Sequence, residues 1–339
     1  MIIITGTYPP EKCGVGDYTY NLLQTKEAEG WKLLYFKDWS LKTFFHKIKM
    51  INQCSDSMIN LQYPCMGYNK SLSAELLCLY YAFSRKKRVA VTVHEFSQFG
   101  WKRRYVSFII FLFASKFIFT TDYEYDAVSK LFYRVRNRSK VIKIYSNIKQ
   151  SEQRFNILDK FYDIGYFGYL RPLKGLEDFL RIMANLKLGN NSLNIYIMGQ
   201  VQPDNKDFAN GIKQYAEKNG IKCLLNQEED AVADILSQTK FVFLPFPDGI
   251  SERRGSFLAA ARNECIILTT EGKQTTLALK QCCGFVNMEN AEEDILRFLN
   301  EDVKTKMNRL DTVKKYIEEE VPKSWNEIAS TYNDFLQLK

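Results

Sequence analysis

A segment rich in guanidinium and hydroxyl side chains lies between two apolar runs, over residues 241–270. The first run ends in Pro-Phe-Pro-Asp-Gly, and Arg253, Arg254, Gly255 and Ser256 then lead into a run of small residues. The pattern predicts a strand, a polar loop, the start of a helix and a second strand. Cationic side chains, a glycine and a hydroxyl beside the free N–H groups of a helix suit a phosphate. We therefore expect an anion site here; the alternative is a surface loop capped by serine.

A second glycine-containing loop, residues 6–19, follows the first apolar run of the chain. Gly14 and Gly16 open a predicted helix, so its N-terminus can approach a charged ligand closely. A nicotinamide dinucleotide fingerprint would need a tighter turn and a third glycine. Here eight residues separate Thr5 from Gly14, and position 19 is threonine. We therefore favour a long substrate-binding loop over a dehydrogenase fingerprint.

Two further strand ends carry side chains suited to sugars or phosphates. His94, one of two histidines, ends a predicted strand, where it can contact a sugar hydroxyl or phosphate or serve as a structural hydrogen-bonding group. Arg171 and Lys174 follow another predicted strand and Gly168, just before a predicted helix. Two cations at that position can neutralise a diphosphate leaving group; the alternative is a pair of solvated charges at a turn.

Short apolar runs that alternate with longer amphipathic runs supply the elements that position these residues. The predicted strands are 2–5, 32–36, 57–61, 88–93, 117–120, 140–144, 162–167, 193–198, 222–225, 241–244, 265–269 and 284–286. The alternation predicts two α/β domains, each with a parallel sheet covered by helices on both faces. Ligands bind at the carboxyl ends of such strands, so we expect a cleft between the two domains.

The domain boundary is predicted within a polar stretch, residues 149–154, after which the alternation restarts. We assign residues 1–150 to an N-terminal domain and residues 151–321 to a C-terminal domain. The stretch 302–338 is predicted to be helical throughout, and an apolar helical face marks its last part. This last part is taken as a separate C-terminal helix, 322–339.

Composition narrows the class of partner. The 339 residues are 46% apolar and carry a net charge of +8, which favours an anionic partner. Nucleic acid is disfavoured because the basic residues form no stripe with stacking aromatic residues on a known binding module. Eight cysteines without metal-ligand spacing indicate reduced thiols in a cytoplasmic protein.

The N-terminus lacks the pattern of a signal peptide, and the most apolar stretch, residues 105–121, is too short and interrupted to span a membrane. Basic clusters at 85–88 and 101–105 lie close to aromatic residues. Such clusters can dock on anionic lipid headgroups, or they can be solvated helix ends.

Taken in order, the segments TGTYPPxxCGVGDYT, the strand ending in His94, YFGYLRPLKG and LPFPDGISERRGSFLAA resemble the GT-B-fold retaining glycosyltransferases of family 4. The resemblance covers essentially the whole chain and is closest to the type found in bacterial surface-polysaccharide synthesis. It implies two Rossmann-like, doubly wound parallel-sheet domains facing across a cleft, with the C-terminal helix crossing back to the N-terminal domain.

The same resemblance implies metal-independent, retaining transfer of a sugar, with residues 1–150 as the acceptor domain and residues 151–321 as the donor domain. Our hypothesis is a cytoplasmic enzyme that acts on a lipid-linked or glycan acceptor. The basic and aromatic clusters of the first domain motivate peripheral attachment to the inner face of the membrane. The donor is a nucleotide-sugar, UDP- or GDP-linked, and no further cofactor is implied. Arg171 and Lys174 would hold the donor diphosphate, and His94 would contact the sugar. The donor-binding residues would be Gly14, Gly16, Gly168, Gly199, Gln227, Gly249, Arg253, Arg254, Gly255 and Ser256, with the nucleobase near 225–227 and Gly199.

The chain departs from the family at two glutamates, which are replaced by Ile250 and Leu258. Asp248 and Glu252 flank the first position, and we assign the catalytic carboxylate to Asp248 because it lies at the strand end. No nucleophile with a paired base is apparent, so front-face substitution with the departing phosphate as base is expected. A sugar-nucleotide epimerase of the same fold and a non-catalytic partner subunit are the alternative functions.

Overall fold

A computed structural model describes residues 1–11 and 13–338, which form two compact α/β units. The first unit comprises Met1–Tyr145 together with the chain from Pro322 onward. The second comprises Ser146–Val321. Residues 146–150, which the sequence analysis placed in the first domain, therefore belong to the second unit.

The first unit is built on a parallel six-stranded sheet. Its strands are β1 Ile2–Thr5, β2 Lys32–Tyr35, β3 Met58–Tyr63, β4 Arg88–Val93, β5 Lys116–Phe119 and β6 Ser139–Val141, in the order β2-β1-β3-β4-β5-β6. Its helices are α1 Gly14–Leu23, α2 Phe44–Gln53, α3 Ser73–Ser84, α4 Trp101–Phe113, α5 Asp122–Ser129 and α13 Trp325–Leu336. The chain direction across the sheet reverses between β1 and β3, which defines the switch point of this unit.

The second unit is also built on a parallel six-stranded sheet. Its strands are β7 Tyr162–Phe167, β8 Ile195–Gly199, β9 Lys222–Leu225, β10 Thr239–Leu244, β11 Ile266–Thr269 and β12 Gly284–Phe285, in the order β12-β11-β10-β7-β8-β9. Its helices are α6 Leu176–Gly189, α7 Lys206–Lys218, α8 Glu229–Ser237, α9 Gly255–Arg262, α10 Leu277–Cys282, α11 Ala291–Leu299 and α12 Val303–Glu320. This is the Rossmann strand order, with its switch point between β7 and β10.

The prediction of two parallel sheets is confirmed, and the burial of the strands explains their apolar sequences. β3, β8 and β11 are buried along their whole length, as expected for strands covered on both faces. One helical prediction is wrong in detail, and one helix was not predicted. The stretch 302–338 is broken before Pro322, whose ring cannot continue a helix, and α10 was missed because it is only six residues long.

The C-terminal helix α13 packs into the first unit, as predicted, although the chain reaches it through the second. Its side chains Ile328, Tyr332 and Leu336 are buried in the same apolar cluster as Ile3 of β1. The Tyr332 hydroxyl shares 2.9 Å hydrogen bonds with Tyr18 and with Thr92 of β4, which fixes the helix in position. Within the described residues, no helix has the length and apolar character needed to cross a bilayer.

Candidate anion-binding site of the second unit

The loops that follow β7 and β10 lie side by side at the switch point of the second sheet. β7 and β10 are neighbouring parallel strands, so their carboxyl ends open at the same edge. Ligands of doubly wound sheets bind at this edge. The loop after β7 carries Arg171 and Lys174, and the loop after β10 carries residues 245–254, which lead into α9.

Close backbone contacts hold the loop after β7 in place. A Cβ atom on Gly175 would lie 1.8 Å from the Pro245 carbonyl oxygen, so this glycine allows the two loops to touch. Gly175 has a φ of +75° and is the N-cap of α6, a backbone conformation that also favours glycine. The buried Tyr166 hydroxyl donates a 3.2 Å hydrogen bond to the Lys174 carbonyl, which orients the loop.

Gly168 and Gly199 also meet through their backbones. The Gly168 N–H donates to the Met198 carbonyl at 3.0 Å, and a Cβ on Gly199 would lie 1.7 Å from the Gly168 carbonyl oxygen. The close packing of the chain itself therefore requires glycine at position 199. The loop after β9 joins the same edge, because the Asn226 N–H donates to the Gly199 carbonyl at 2.9 Å. Gln227 follows, and its side-chain amide donates to the Leu225 carbonyl at 3.0 Å.

In the loop after β10, Arg254 is the fixed cation. Its guanidinium forms an ion pair with Asp248 and lies 4.4 Å from the centre of the Phe246 ring. It also donates to the Gly249 carbonyl at 3.4 Å. Because three groups hold the side chain, its positive charge has a defined location at the edge of the sheet. The neighbouring Arg253 is half-buried.

The loop after β11 supports the loop after β10, a role that the sequence analysis missed. Thr270 donates a hydrogen bond to the Phe246 carbonyl at 2.5 Å, and Thr275 donates one to the Ile250 carbonyl at 3.0 Å. Gly249, with a φ of +81°, packs directly on the backbone of Gly272. The only sequence signal for this support was the polar stretch after a predicted strand, residues 270–276.

Helix α9 begins with its first turn available to an anion. Its N-cap residue, Arg254, provides no side-chain cap, and its first turn contains no acidic residue. Gly255 is exposed, a Cβ there would meet no atom, and Ser256 is the next residue of the helix. The first turn of α6, by contrast, contains Glu177 and Asp178, which already complement the helix dipole. Of the two helix starts that were predicted to bind phosphate, that of α9 is therefore better suited to an anion.

The charges of Glu177, Arg171 and Arg254 all act on the buried Tyr166 hydroxyl. Burial raises the pKa of Tyr166 most and the negative charge of Glu177 adds to the effect, while the positive charges of Arg171 and Arg254 act in the opposite direction. Both arginines, one from each loop, therefore lie within electrostatic range of the same atom. The structure thus brings together the charges that the sequence analysis assigned to separate motifs, and an anion at this edge would be attracted by both.

The two candidates for the missing carboxylate differ in environment. The Asp248 side chain is 54% exposed and paired with Arg254, so its oxygens can also reach a ligand. Glu252 is buried, and its charge contributes to raising the pKa of Tyr316 on α12 after the larger effect of burial. Asp248 is therefore the more accessible of the two. Among the described residues, no three His, Cys, Asp or Glu side chains are grouped as a metal site.

Three predicted residues belong to the first unit. His94 directly follows β4, is buried, and forms a 2.9 Å hydrogen bond through Nε2 with the Gln62 side chain. Gly14 is the exposed first residue of α1, and Gly16 allows close packing, since a Cβ there would lie 3.2 Å from the Thr7 carbonyl. The side-chain nitrogen of Gln62 donates to Asn60, so the side-chain oxygen of Gln62 faces His94. An amide oxygen can only accept a hydrogen bond, so the proton lies on His94 Nε2.

Several solved structures share this architecture at low sequence identity. HepE from Anabaena, in complex with UDP and glucose, matches 100% of this chain and 99% of its own, with a TM-score of 0.69 and 11% identity. The catalytic domain of starch synthase IV from Arabidopsis thaliana, bound to ADP and acarbose, matches over 99% and 98%, with a TM-score of 0.62 and 11% identity. A glycosyltransferase from Rickettsia africae matches over 100% and 99%, with a TM-score of 0.63 and 11% identity.

No protein-family model and no curated protein matches this sequence. The similarity to the solved structures extends over the whole chain and includes both doubly wound sheets. The chain therefore has the GT-B fold of glycosyltransferases, and the predicted fold class is confirmed.

Proposed function

We propose that this protein is a glycosyltransferase that binds a nucleotide-sugar through its diphosphate at the start of α9. The observation that carries the proposal is the uncapped, acid-free first turn of α9 beside the fixed guanidinium of Arg254. Arg171 and Lys174 extend from the adjacent loop at the same switch point. The UDP and ADP bound in the structures of similar fold support a nucleotide-sugar donor, UDP- or GDP-linked.

The proposed reaction is retaining, metal-independent transfer. As the bond to the sugar breaks, negative charge grows on the departing diphosphate and positive charge grows on the sugar ring. Arg171, Lys174, Ser256 and the N–H groups of α9 stabilise the diphosphate, and each well-placed donor is worth roughly 3 kcal/mol. The departing phosphate accepts the proton of the acceptor hydroxyl on the same face, while Asp248 contacts the sugar.

We further propose a lipid-linked or glycan acceptor of a bacterial surface glycan, reached by peripheral binding at the inner face of the membrane. The first unit exposes aromatic and aliphatic side chains along one side of α4, at Trp101, Tyr105 and Leu112. The ring of exposed Phe83, at the end of α3, lies 5.7 Å from that of Phe113 on α4. Basic residues accompany both helices, a combination that suits an anionic lipid surface.

A thermal-shift series tests the donor site. We expect one sugar conjugate among those of UDP, GDP, TDP and ADP to raise the melting temperature, because a ligand at one hundred times its Kd stabilises the folded state by about 2.7 kcal/mol. Ser256→Ala should reduce the shift and lower transfer at least tenfold. Ser192→Ala, at an exposed loop position away from the site, is the matched control. A protein that melts identically with all four conjugates would contradict the proposed function and favour a non-catalytic subunit.

Vesicle flotation tests the membrane surface. We expect the protein to float with vesicles of anionic lipid at low salt and to remain unbound with neutral vesicles, because the basic residues supply the attraction. Replacing exposed Trp101 and Tyr105 together by serine should abolish flotation without changing the melting temperature. Replacing exposed Tyr215, on α7 of the second unit, is the control. Equal flotation of the double variant and the unmodified protein would eliminate α4 as the docking surface.

A further inference from the structure

Polar side chains occupy one face of two neighbouring buried strands in the first sheet. Asn60 and Gln62 lie two residues apart on β3, Thr92 lies beside Gln62 on β4, and His94 directly follows β4. Asn60, Gln62 and Thr92 have no exposed surface. Burying such side chains costs free energy unless each finds hydrogen-bond partners, a cost that apolar side chains would avoid. The polar set therefore calls for an explanation.

Hydrogen bonds join these side chains into a network that runs from His94 to Thr92. Nε2 of His94 donates to the Gln62 side-chain oxygen at 2.9 Å. The Gln62 side-chain nitrogen donates to the Asn60 side-chain oxygen at 2.5 Å, and the Asn60 side-chain nitrogen donates to the Thr92 hydroxyl oxygen at 3.0 Å. Each amide accepts at its oxygen and donates from its nitrogen, so all three bonds are donated in the same direction.

The C-terminal helix holds the far end of this network. Thr92 shares a 2.9 Å hydrogen bond with the Tyr332 hydroxyl of α13, whereas its second possible acceptor, the Asn60 oxygen, is 3.2 Å away. The shorter contact favours donation from Thr92 to Tyr332, which leaves the Thr92 oxygen to accept from Asn60. Burial raises the pKa of Tyr332 to about 12, so its hydroxyl stays protonated at neutral pH.

Helix α13 also reaches His94 by a second route, through an aromatic ring. The Tyr332 hydroxyl shares a 2.9 Å hydrogen bond with that of Tyr18 on α1. The Tyr18 ring lies edge-on to the His94 ring, with 5.2 Å between the centres and 79° between the planes. Trp325, the first residue of α13, packs against Tyr18 at the same centre-to-centre distance of 5.2 Å. Hydrogen bonds and ring packing therefore both connect α13 with His94.

We propose that Thr92 and Tyr332 are positioning residues that fix the neutral His94 ring as its Nε2–H tautomer. The Thr92 oxygen orients the Asn60 amide, Asn60 orients Gln62, and the Gln62 oxygen requires a proton on Nε2. In the neutral ring Nδ1 can then only accept a hydrogen bond. The group that meets Nδ1 must therefore be a donor, which suits a hydroxyl and not a phosphate oxygen. Only the assignment of that hydroxyl to a sugar rests on the proposed function.

Nitrogen-15 NMR of the imidazole rings in the full-length protein tests the tautomer directly, because protonated and unprotonated ring nitrogens resonate far apart. The sequence contains two histidines, so His46→Gln, at an exposed position of α2, assigns both sets of signals. Near neutral pH we expect the Nε2–H form of His94 in roughly tenfold excess, the ratio that one buried hydrogen bond would set. A dominant Nδ1–H form, or a ring protonated at both nitrogens, would overturn the proposal.

Thr92→Val tests whether Thr92 sets the direction of the network. This change removes the oxygen to which Asn60 donates, so both amides can turn over and the Gln62 nitrogen can face His94. Nε2 should then accept, and the Nδ1–H form should become at least as populated as the Nε2–H form. Thr92→Ser, which keeps the hydroxyl, should restore the original ratio. An unchanged ratio in Thr92→Val would show that Thr92 does not position His94.

Tyr332→Phe tests the contribution of α13. Without the tyrosine hydroxyl, the Thr92 proton can turn to the Asn60 oxygen and compete there with Gln62, so we expect the tautomer ratio to fall about threefold or more. Tyr81→Phe is the matched control. Tyr81 is buried on α3 in the same unit, and its hydroxyl donates to the Asn52 side chain at 3.1 Å. Equal ratios in these two variants would show that α13 does not act on His94.

The NMR measurements need no sugar donor, so failure of this inference can be distinguished from failure of the proposed function. A protein that binds no nucleotide-sugar but carries the Nε2–H form would contradict only the proposed function. A protein that binds a nucleotide-sugar but carries the Nδ1–H form would contradict only the inference. If Thr92→Val does not fold, Tyr332→Phe and the spectrum of the unmodified protein still decide the proposal.

Discussion

Replacing Lys174 by alanine is expected to lower the rate of sugar transfer about a hundredfold, because one aligned charge at the leaving group is then lost. Lys174 immediately precedes Gly175, the N-cap of α6, in a loop that contacts the loop after β10. Its carbonyl accepts a hydrogen bond from Tyr166, so the backbone there is held in place. The side chain is not part of an apolar core, and the variant should retain the melting temperature of the unmodified protein.

Single-turnover transfer with the donor identified by thermal shift measures this effect. Arg171→Ala should cause a loss of similar size, because its charge acts at the same edge of the sheet. Arg181→Ala is the matched control, since this exposed arginine lies on α6 and forms an ion pair with Asp178. Transfer rates within a factor of two for all three variants would contradict the assignment of the diphosphate site.

Replacing Gly175 by alanine is expected to destabilise the second unit by about 2–4 kcal/mol, through left-handed backbone strain and a steric clash. The residue has a φ of +75°, and its new Cβ would lie 1.8 Å from the Pro245 carbonyl oxygen. Backbone atoms cannot rotate away as a flexible side chain can, so the loops after β7 and β10 would have to separate. Donor binding should weaken together with stability.

Urea unfolding of the full-length protein measures the free energy of this change. Gly211→Ala is the matched control: this exposed glycine lies inside α7, and an added Cβ would meet no other atom. Alanine there should stabilise the helix by roughly 0.5–1 kcal/mol. Equal unfolding free energies for the Gly175 and Gly211 variants would show that the contact with Pro245 does not constrain the loops.

Most strands were predictable because they are short apolar runs, and the inner strands, such as β3, β8 and β11, are buried on both faces. The predicted limits of β1, β4, β7 and β9 agree with the structure. The limits of the other strands differ by no more than two residues, except at the end of β6, where the difference is three. Helix ends were less predictable where local signals compete. The break at Pro322 and the short helix α10 depend on a proline and on the Thr276 side-chain cap within otherwise ordinary polar sequence.

The loops of the site were found from residue types, but their internal contacts were not. Arg254 was chosen as a donor-binding residue and Asp248 as the catalytic carboxylate, and the structure pairs them with each other. Gly199 was assigned to the nucleobase, whereas its close contact with the Gly168 carbonyl shows that packing alone requires a glycine there. The support from Thr270 and Thr275 was missed because nothing in sequence indicates which carbonyl a threonine will meet.

By itself, the sequence determined the alternation of strands and helices, hence two parallel-sheet units with basic and glycine-containing loops at strand ends. These properties follow from periodicity and composition, which are local along the chain. Only the tertiary structure decided that α9, rather than α6, presents the freer helix start to an anion, and that Gly199 meets the Gly168 carbonyl. Such partnerships depend on strand order and close packing, because order across a sheet brings together residues that no local pattern connects.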